Sequence, residues 1–246
     1  DFINWGWRLP FAGSILLVAV GLWVRLNILE TPAFAAMMAH EKPPAVPLAE
    51  LIRHHWRETL CGVAAAVTCF AIFYISTAFA LGHGTTALGY TREAFLKLQL
   101  GAILFMAAGI ILAGWAADRT SPARVLMFGS LATVAVGAAM GPLMQAGTPG
   151  VFGFLALSLF VMGFVYGPLG AFLPGLFPAR VRYTGASVTF NLGGIIGGGL
   201  TPVIGQALAS TQGIGAVGLY LAGAALVSAG GLALLPKGEA ATSVTP

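Results

Sequence analysis

Long apolar runs separated by short polar stretches dominate this chain of 246 residues. A hydrocarbon core about 30 Å thick takes roughly 20 apolar residues when crossed by a helix. Runs of that size fall at about 10–29, 60–82, 96–117, 124–145, 151–173, 186–208 and 214–235. The pattern therefore predicts an all-α membrane protein with seven transmembrane helices. Only the stretch 30–59 breaks it, with four of the eight acidic residues, Pro43, Pro44 and Pro47, and His40, His54 and His55. It reads as a polar linker with a short surface helix at about 47–57.

Composition agrees. Apolar residues make up 58% of the chain and charged residues 8%, against the roughly 25% charged of a soluble domain. So few charges cannot cover a water-facing surface, which leaves the lipid bilayer as solvent. Most of the 34 glycines and four of the 14 prolines sit inside the apolar runs, where membrane helices tolerate them. The net charge is +4, but the basic residues are scattered between spans rather than clustered with aromatics, so no nucleic-acid partner is expected. Cys61 and Cys69 lie eight residues apart in one run, about 12 Å along a helix and too far for a disulfide.

Loop charges set an expected orientation. With 30–59 on the cytoplasmic side, that side receives Arg25, Lys42, Arg53, Arg57, Arg119, Arg124, Arg180, Arg182 and Lys237, and the other receives Arg8, Arg92 and Lys97. Nine against three follows the positive-inside rule and places the C-terminus in the cytoplasm. The chain opens Asp1-Phe2-Ile3-Asn4 beside its first apolar run, so an upstream or processed segment is expected. One span, a long linker and six closely connected spans look like the end of one transporter half followed by a complete second half.

Three segments carry a family resemblance. Trp5-Gly6-Trp7-Arg8-Leu9-Pro10-Phe11, with Gly21-Leu22-Trp23-Val24-Arg25 and Glu30-Thr31-Pro32, resembles the sixth span of the metabolite:proton symporters, a branch of the major facilitator superfamily. The stretch from Gly114 to Asp118 and Arg119 resembles the superfamily's cytoplasmic loop motif in its second-half copy. The run Tyr166-Gly167-Pro168, then Leu176-Phe177-Pro178, Arg180, Arg182-Tyr183-Thr184-Gly185, Asn191 and Gly197-Gly198 is similar to that branch around its tenth and eleventh spans. Two departures stand out: Thr120-Ser121-Pro122-Ala123-Arg124 replaces the motif's Gly-Arg-Arg, and Gly175 sits where an acidic residue commonly precedes Leu-Phe-Pro.

The resemblance implies twelve spans in the whole protein, with about the first five absent. Residues 1–29 would be the last span of the N-terminal bundle, 30–59 a cytoplasmic linker, 60–236 the C-terminal six-helix bundle of a major facilitator fold, and 237–246 a cytoplasmic tail. It also implies a secondary transporter of the bacterial inner membrane, coupling small organic acids, amino acids or zwitterions to protons. The alternative is a half-size membrane protein that does not transport and has an interaction role.

Candidate residues follow from chemistry. Asp118 and Arg119 end a span, where a carboxylate accepts from a neighbouring helix's N–H groups and pairs with an arginine. Within the matched motif they are expected to gate, with a solvated ion pair in a positive-inside loop as the competing account; Arg180 and Arg182 are expected to gate too, with anchoring to lipid headgroups as theirs. No Asp or Glu falls at mid-membrane, so this part of the chain is not expected to carry proton coupling; the resemblance places the coupling carboxylates in the absent early spans. Uncharged hydrogen-bonding groups remain: Tyr74, Gln99, Tyr166 and Asn191 as substrate-binding candidates, with Thr77 and Gln206 behind them, each equally able to bond a neighbouring helix. Gly163/Gly167, Gly193/Gly197 and Gly194/Gly198 have the spacing that lets helices approach closely. Pro168 and Pro202 are expected to kink or break their spans. Arg92 and Lys97, at the outer end of a span, attract an anion or simply snorkel. There is no phosphate loop with a lysine and no nucleophile elbow, so ATP-driven transport and hydrolase chemistry are not expected, nor is any cofactor or metal.

Overall fold

The computed structural model describes residues 2–27 and 47–235. Glu30, His40, Lys42, Lys237 and the expected tail at 237–246 lie outside the described residues. The chain divides into two units, Asp1–Pro43 and Pro44–Pro246. The first is a π-helical turn, Phe2–Gly6, leading into helix α1, Arg8–Asn27. Apolar side chains surround α1 on every side, the composition of a helix solvated by lipid.

The second unit begins with α2, Pro47–His54, and then holds six spans. Span one is α3, Trp56–Tyr74, a π-helical turn Ile75–Phe79, and α4, Ala80–Thr86. Spans two to four are α5, Arg92–Arg119, α6, Pro122–Gln145, and α7, Gly147–Gly175. Span five is α8, Arg182–Gly194, a π-helical turn Ile195–Gly199, and α9, Thr201–Gln212; span six is α10, Ile214–Ala233. With α1, seven of the described helices are long and apolar enough to cross a membrane. The protein is an all-α, multi-pass membrane protein.

Several spans extend past their apolar runs. The run at 60–82 sits inside a helix from Trp56 to Thr86, and the run at 186–208 inside one from Arg182 to Gln212. Polar residues at the ends continue the backbone ladder into the headgroup region, where hydropathy stops reporting the helix. Caps mark two starts: Thr91 accepts from the Ala94 N–H at 3.2 Å, and Ser121 from the Arg124 N–H at 3.3 Å with Pro122 behind it.

The spans pack through small residues. α5 lies along α7, α6 along α7 and α10, and α3 along α10 and α8. A methyl on Gly163 would strike the Met106 carbonyl, and one on Gly109 the Phe160 carbonyl, so α5 and α7 touch backbone to backbone. Gly193 and Gly197 meet Ala66, Val63 and Val67 on α3 in the same way. Polar pairs reinforce this packing. Between α3 and α10, the buried Ser228 hydroxyl donates to the Ala64 carbonyl at 2.6 Å and accepts from the Thr68 N–H at 3.0 Å.

Spans one and five each contain a π-helical turn, and they pack on each other near these turns. Pro202 stands at the start of α9, where span five resumes, as a proline that cannot donate to the ladder requires. Pro168, by contrast, lies within a continuous α7. Span one forms its π-helical turn, a break in the regular α-helical ladder, without any proline or glycine between Ile75 and Phe79. Its irregular carbonyls are met from outside: the Gln99 amide donates to the Ser76 and Thr77 carbonyls at 3.0 and 2.9 Å. In span five the Thr201 hydroxyl donates to the Gly197 carbonyl at 2.6 Å and accepts from the Tyr220 hydroxyl at 2.8 Å.

Candidate substrate site

Helical spacing on α3 puts Phe70 and Tyr74 one above the other. Across from them on span five, Gly194 and Gly198 share the same four-residue spacing. The Phe70 ring lies over Gly194 and the Tyr74 ring over Gly198, positions where a methyl would meet the rings. An aromatic pair thus rests on a glycine pair. Phe190, one turn before Gly194, closes edge-on against Phe70 with centroids 4.9 Å apart.

Phe190 lines three adjoining cavities. One, of about 420 Å³, is walled by Tyr166, Gly167, Gly170, Tyr183, Ser187 and Asn191 among others. A second, of about 290 Å³, lies between Phe70, Tyr74 and Asn191. The third, of about 360 Å³, reaches Phe73, Met106 and Tyr166. These volumes suit small ligands. Among their lining residues there is no Asp, Glu, His, Lys or Arg. Recognition from these walls would rest on aromatic faces, the hydroxyls of Tyr74, Tyr166, Tyr183 and Ser187, and one carboxamide.

The structure brings three of the four expected binding residues together. Tyr166 from α7, Tyr74 from α3 and Asn191 from α8 all line cavities that Phe190 also lines. The Asn191 amide donates to the Ser187 carbonyl at 2.8 Å, which leaves its oxygen without a partner among the described residues. Gln99 stands apart: it borders none of the three cavities, and both its bonds go to the span-one break. Thr77 likewise donates to its own helix, at the Phe73 carbonyl 2.6 Å away. Gln206 is exposed.

The expected gating residues lie elsewhere and do not form one cluster of contacts. Asp118 and Arg119 are exposed at the end of α5, with the Arg119 guanidinium 4.0 Å from the Trp115 ring centroid. Asp118 makes no ion pair among the described residues. Arg182 donates from Nε to the Phe177 carbonyl at 3.2 Å. Arg180 pairs with Glu50 of α2 at 2.6 Å, a contact by charge and distance in which the N–H is not aligned as a hydrogen bond. Lys97, considered as an anion attractor, pairs with Glu93 at 2.7 Å on an exposed face.

Sequence reasoning missed Phe70, Phe190, Ser187 and Glu50. The first three had a readable signal in the four-residue spacing of Phe70 with Tyr74, of Phe190 with Gly194 and of Ser187 with Asn191. Glu50 had none, because its partner is 130 residues away and the surrounding stretch reads as linker.

No family model matches the chain, and no solved structure matches it. Relatives do. The chain is 37% identical over 228 residues to the inner membrane metabolite transport protein YhjE of Escherichia coli K12, covering 90% of this chain and 52% of that protein. It is 30% identical over 237 residues to the shikimate transporter of the same organism, covering 93% and 54%. Against the ectoine/proline transporter ProP of Corynebacterium glutamicum the identity is 28% over 233 residues, covering 89% and 46%. The chain therefore spans about half the length of these relatives. Seven apolar spans, motif residues in family order and relatives matched along nearly its whole length identify the chain as a member of the metabolite transporter family of the major facilitator superfamily.

Proposed function

We propose that this chain is the second half of a secondary transporter that moves a small organic acid, amino acid or zwitterion together with protons. The whole protein works by alternating access, rocking the six-span bundle against a first half around a site near mid-membrane. The observation that carries this reading is that Tyr74, Tyr166 and Asn191 line cavities that share Phe190 and are walled by four different spans. Sites of this kind are built at helix interfaces from a few polar groups on an apolar wall.

The absence of ionisable side chains from the lining residues divides the labour. A proton carrier must be titratable, and these walls hold no carboxylate or histidine. Coupling then belongs to the first half, and this half shapes and orients the substrate. Asp118, Arg119, Arg180 and Arg182 serve as gating groups at the ends of the spans. The excess of basic residues in alternate loops supports a cytoplasmic C-terminus, and the likeness to an inner membrane protein of Escherichia coli supports the bacterial inner membrane.

The test is uptake of radiolabelled candidate substrates by cells expressing the complete reading frame. A protonophore is expected to abolish accumulation. Asn191→Ala is expected to raise the half-saturation concentration about tenfold, the loss of one good polar contact, with normal membrane insertion. Accumulation that survives the protonophore would overturn proton coupling, and wild-type saturation in Asn191→Ala would remove Asn191 from the site.

A further inference from the structure

The short helix α2 is not a free stretch of linker. Leu51 is 1% exposed and seated between Phe177 and Val181, with Leu176 and Val188 around them. One residue earlier, Glu50 pairs with Arg180. Both contacts fall on residues 176–181, the connection between α7 and α8. The same connection is gripped from three other directions. Arg182 donates to the Phe177 carbonyl, the His55 ring stands edge-on to Phe177 at 6.5 Å, and Gly185 lies under the Phe177 ring with no room for a methyl.

Charge leaves Arg180 little choice of partner. Between Asp118 and Glu239 the sequence contains no Asp or Glu, so its carboxylate must come from another part of the chain. Glu50 supplies it from a side chain only 15% exposed, while Arg180 is 42% exposed. A pair shielded on one side is less screened by salt than an open surface pair, and therefore a better switch.

The position of this grip matters because the gripped connection borders the candidate site. Pro174, just before it, and Tyr183, just after it, both line the cavity that contains Tyr166 and Asn191. We propose that α2 is a latch: through Glu50–Arg180 and the seated Leu51 it fixes the α7–α8 connection and thereby sets access to that cavity. Glu50 is a positioning residue that acts through Arg180. The proposal rests on the reading of the cavity as the substrate site, and its experiment is chosen to stand without transport.

The experiment places a single cysteine at Ser187, which lines the cavity, in the complete protein with its other cysteines replaced. Alkylation by a membrane-impermeant maleimide is followed in membrane vesicles of both orientations. Glu50→Gln and Arg180→Gln are each expected to raise the alkylation rate about fivefold, as a broken half-shielded pair would. The exchanged pair, Glu50→Arg with Arg180→Glu, is expected to return the rate towards that of the parent. Unchanged rates in both single variants would overturn the latch, as would an exchanged pair no closer to the parent than either single variant. A monodisperse detergent-solubilised peak checks folding. If Glu50→Gln loses it, Glu50→Asp, which keeps the charge and shortens the reach, replaces it in the comparison. Failure of the unmodified complete protein, with Ser187 in place, to accumulate substrate would instead count against the transport reading, while the alkylation rates still decide the latch.

Discussion

Gly137 on α6 and Gly218 on α10 face each other so closely that a methyl on either would strike the other's carbonyl oxygen. The approach is reciprocal, and it fixes how the last span lies against the third. Membrane helices gain little from burying apolar surface against each other, since lipid is equally apolar, so close backbone packing carries much of the association. Gly218→Ala is expected to force the two helices apart and to cost about 1–3 kcal/mol, the usual penalty of overpacking a tight contact. Thermal unfolding of the detergent-solubilised complete protein would show it as a lowered midpoint. Gly223→Ala, on the same helix with open space where its methyl would go, is the matched control and is expected to leave the midpoint unchanged.

Gln99 gives a prediction that separates support from substrate binding. Its amide is the donor to two carbonyls of the span-one break. Gln99→Leu leaves both without that partner, at about 1–3 kcal/mol for groups out of water. Gln99→Glu is expected to be worse, because an ionised carboxylate only accepts and would face two carbonyl oxygens. Both variants should lower the unfolding midpoint in the absence of any substrate. Intact stability with weakened substrate affinity would return Gln99 to the list of binding residues.

The spans were legible because each needs about 20 apolar residues, a one-dimensional requirement that packing does not alter. Their ends were less so: Arg182 and Gln212 lie in the helical span although neither belongs to an apolar run. The break at Pro202 announces itself by a missing N–H, whereas the break at Ile75–Phe79 depends on a glutamine from the next span. The candidate site divides along the same line. Tyr74, Tyr166 and Asn191 stand out as polar groups in apolar runs, and Gln99 stands out equally. Only the tertiary arrangement sends three of them to the cavities around Phe190 and the fourth to a pair of carbonyls. Glu50 was invisible because a short polar helix gives no hint of the apolar cup that receives Leu51 next to it.

Asp118 tests gating with two readouts of opposite sign. It sits in the last turn of α5, where a negative charge opposes the helix dipole, and it has no ion-pair partner among the described residues to offset that. Neutralising it is therefore expected to leave stability unchanged or to raise it by a few tenths of a kcal/mol. If its role is to hold the end of α5 to a neighbouring helix in the opposite state of the transport cycle, the same change must slow turnover. Asp118→Asn is expected to insert normally, keep or slightly raise its unfolding midpoint, and lower the maximal uptake rate about tenfold, the effect of losing one charge-assisted contact in one state. Asp118→Glu, which keeps the charge, should recover part of that rate. Wild-type uptake in Asp118→Asn would reduce the residue to a solvated loop charge. A fall in uptake accompanied by a fall in stability would point to a structural role instead.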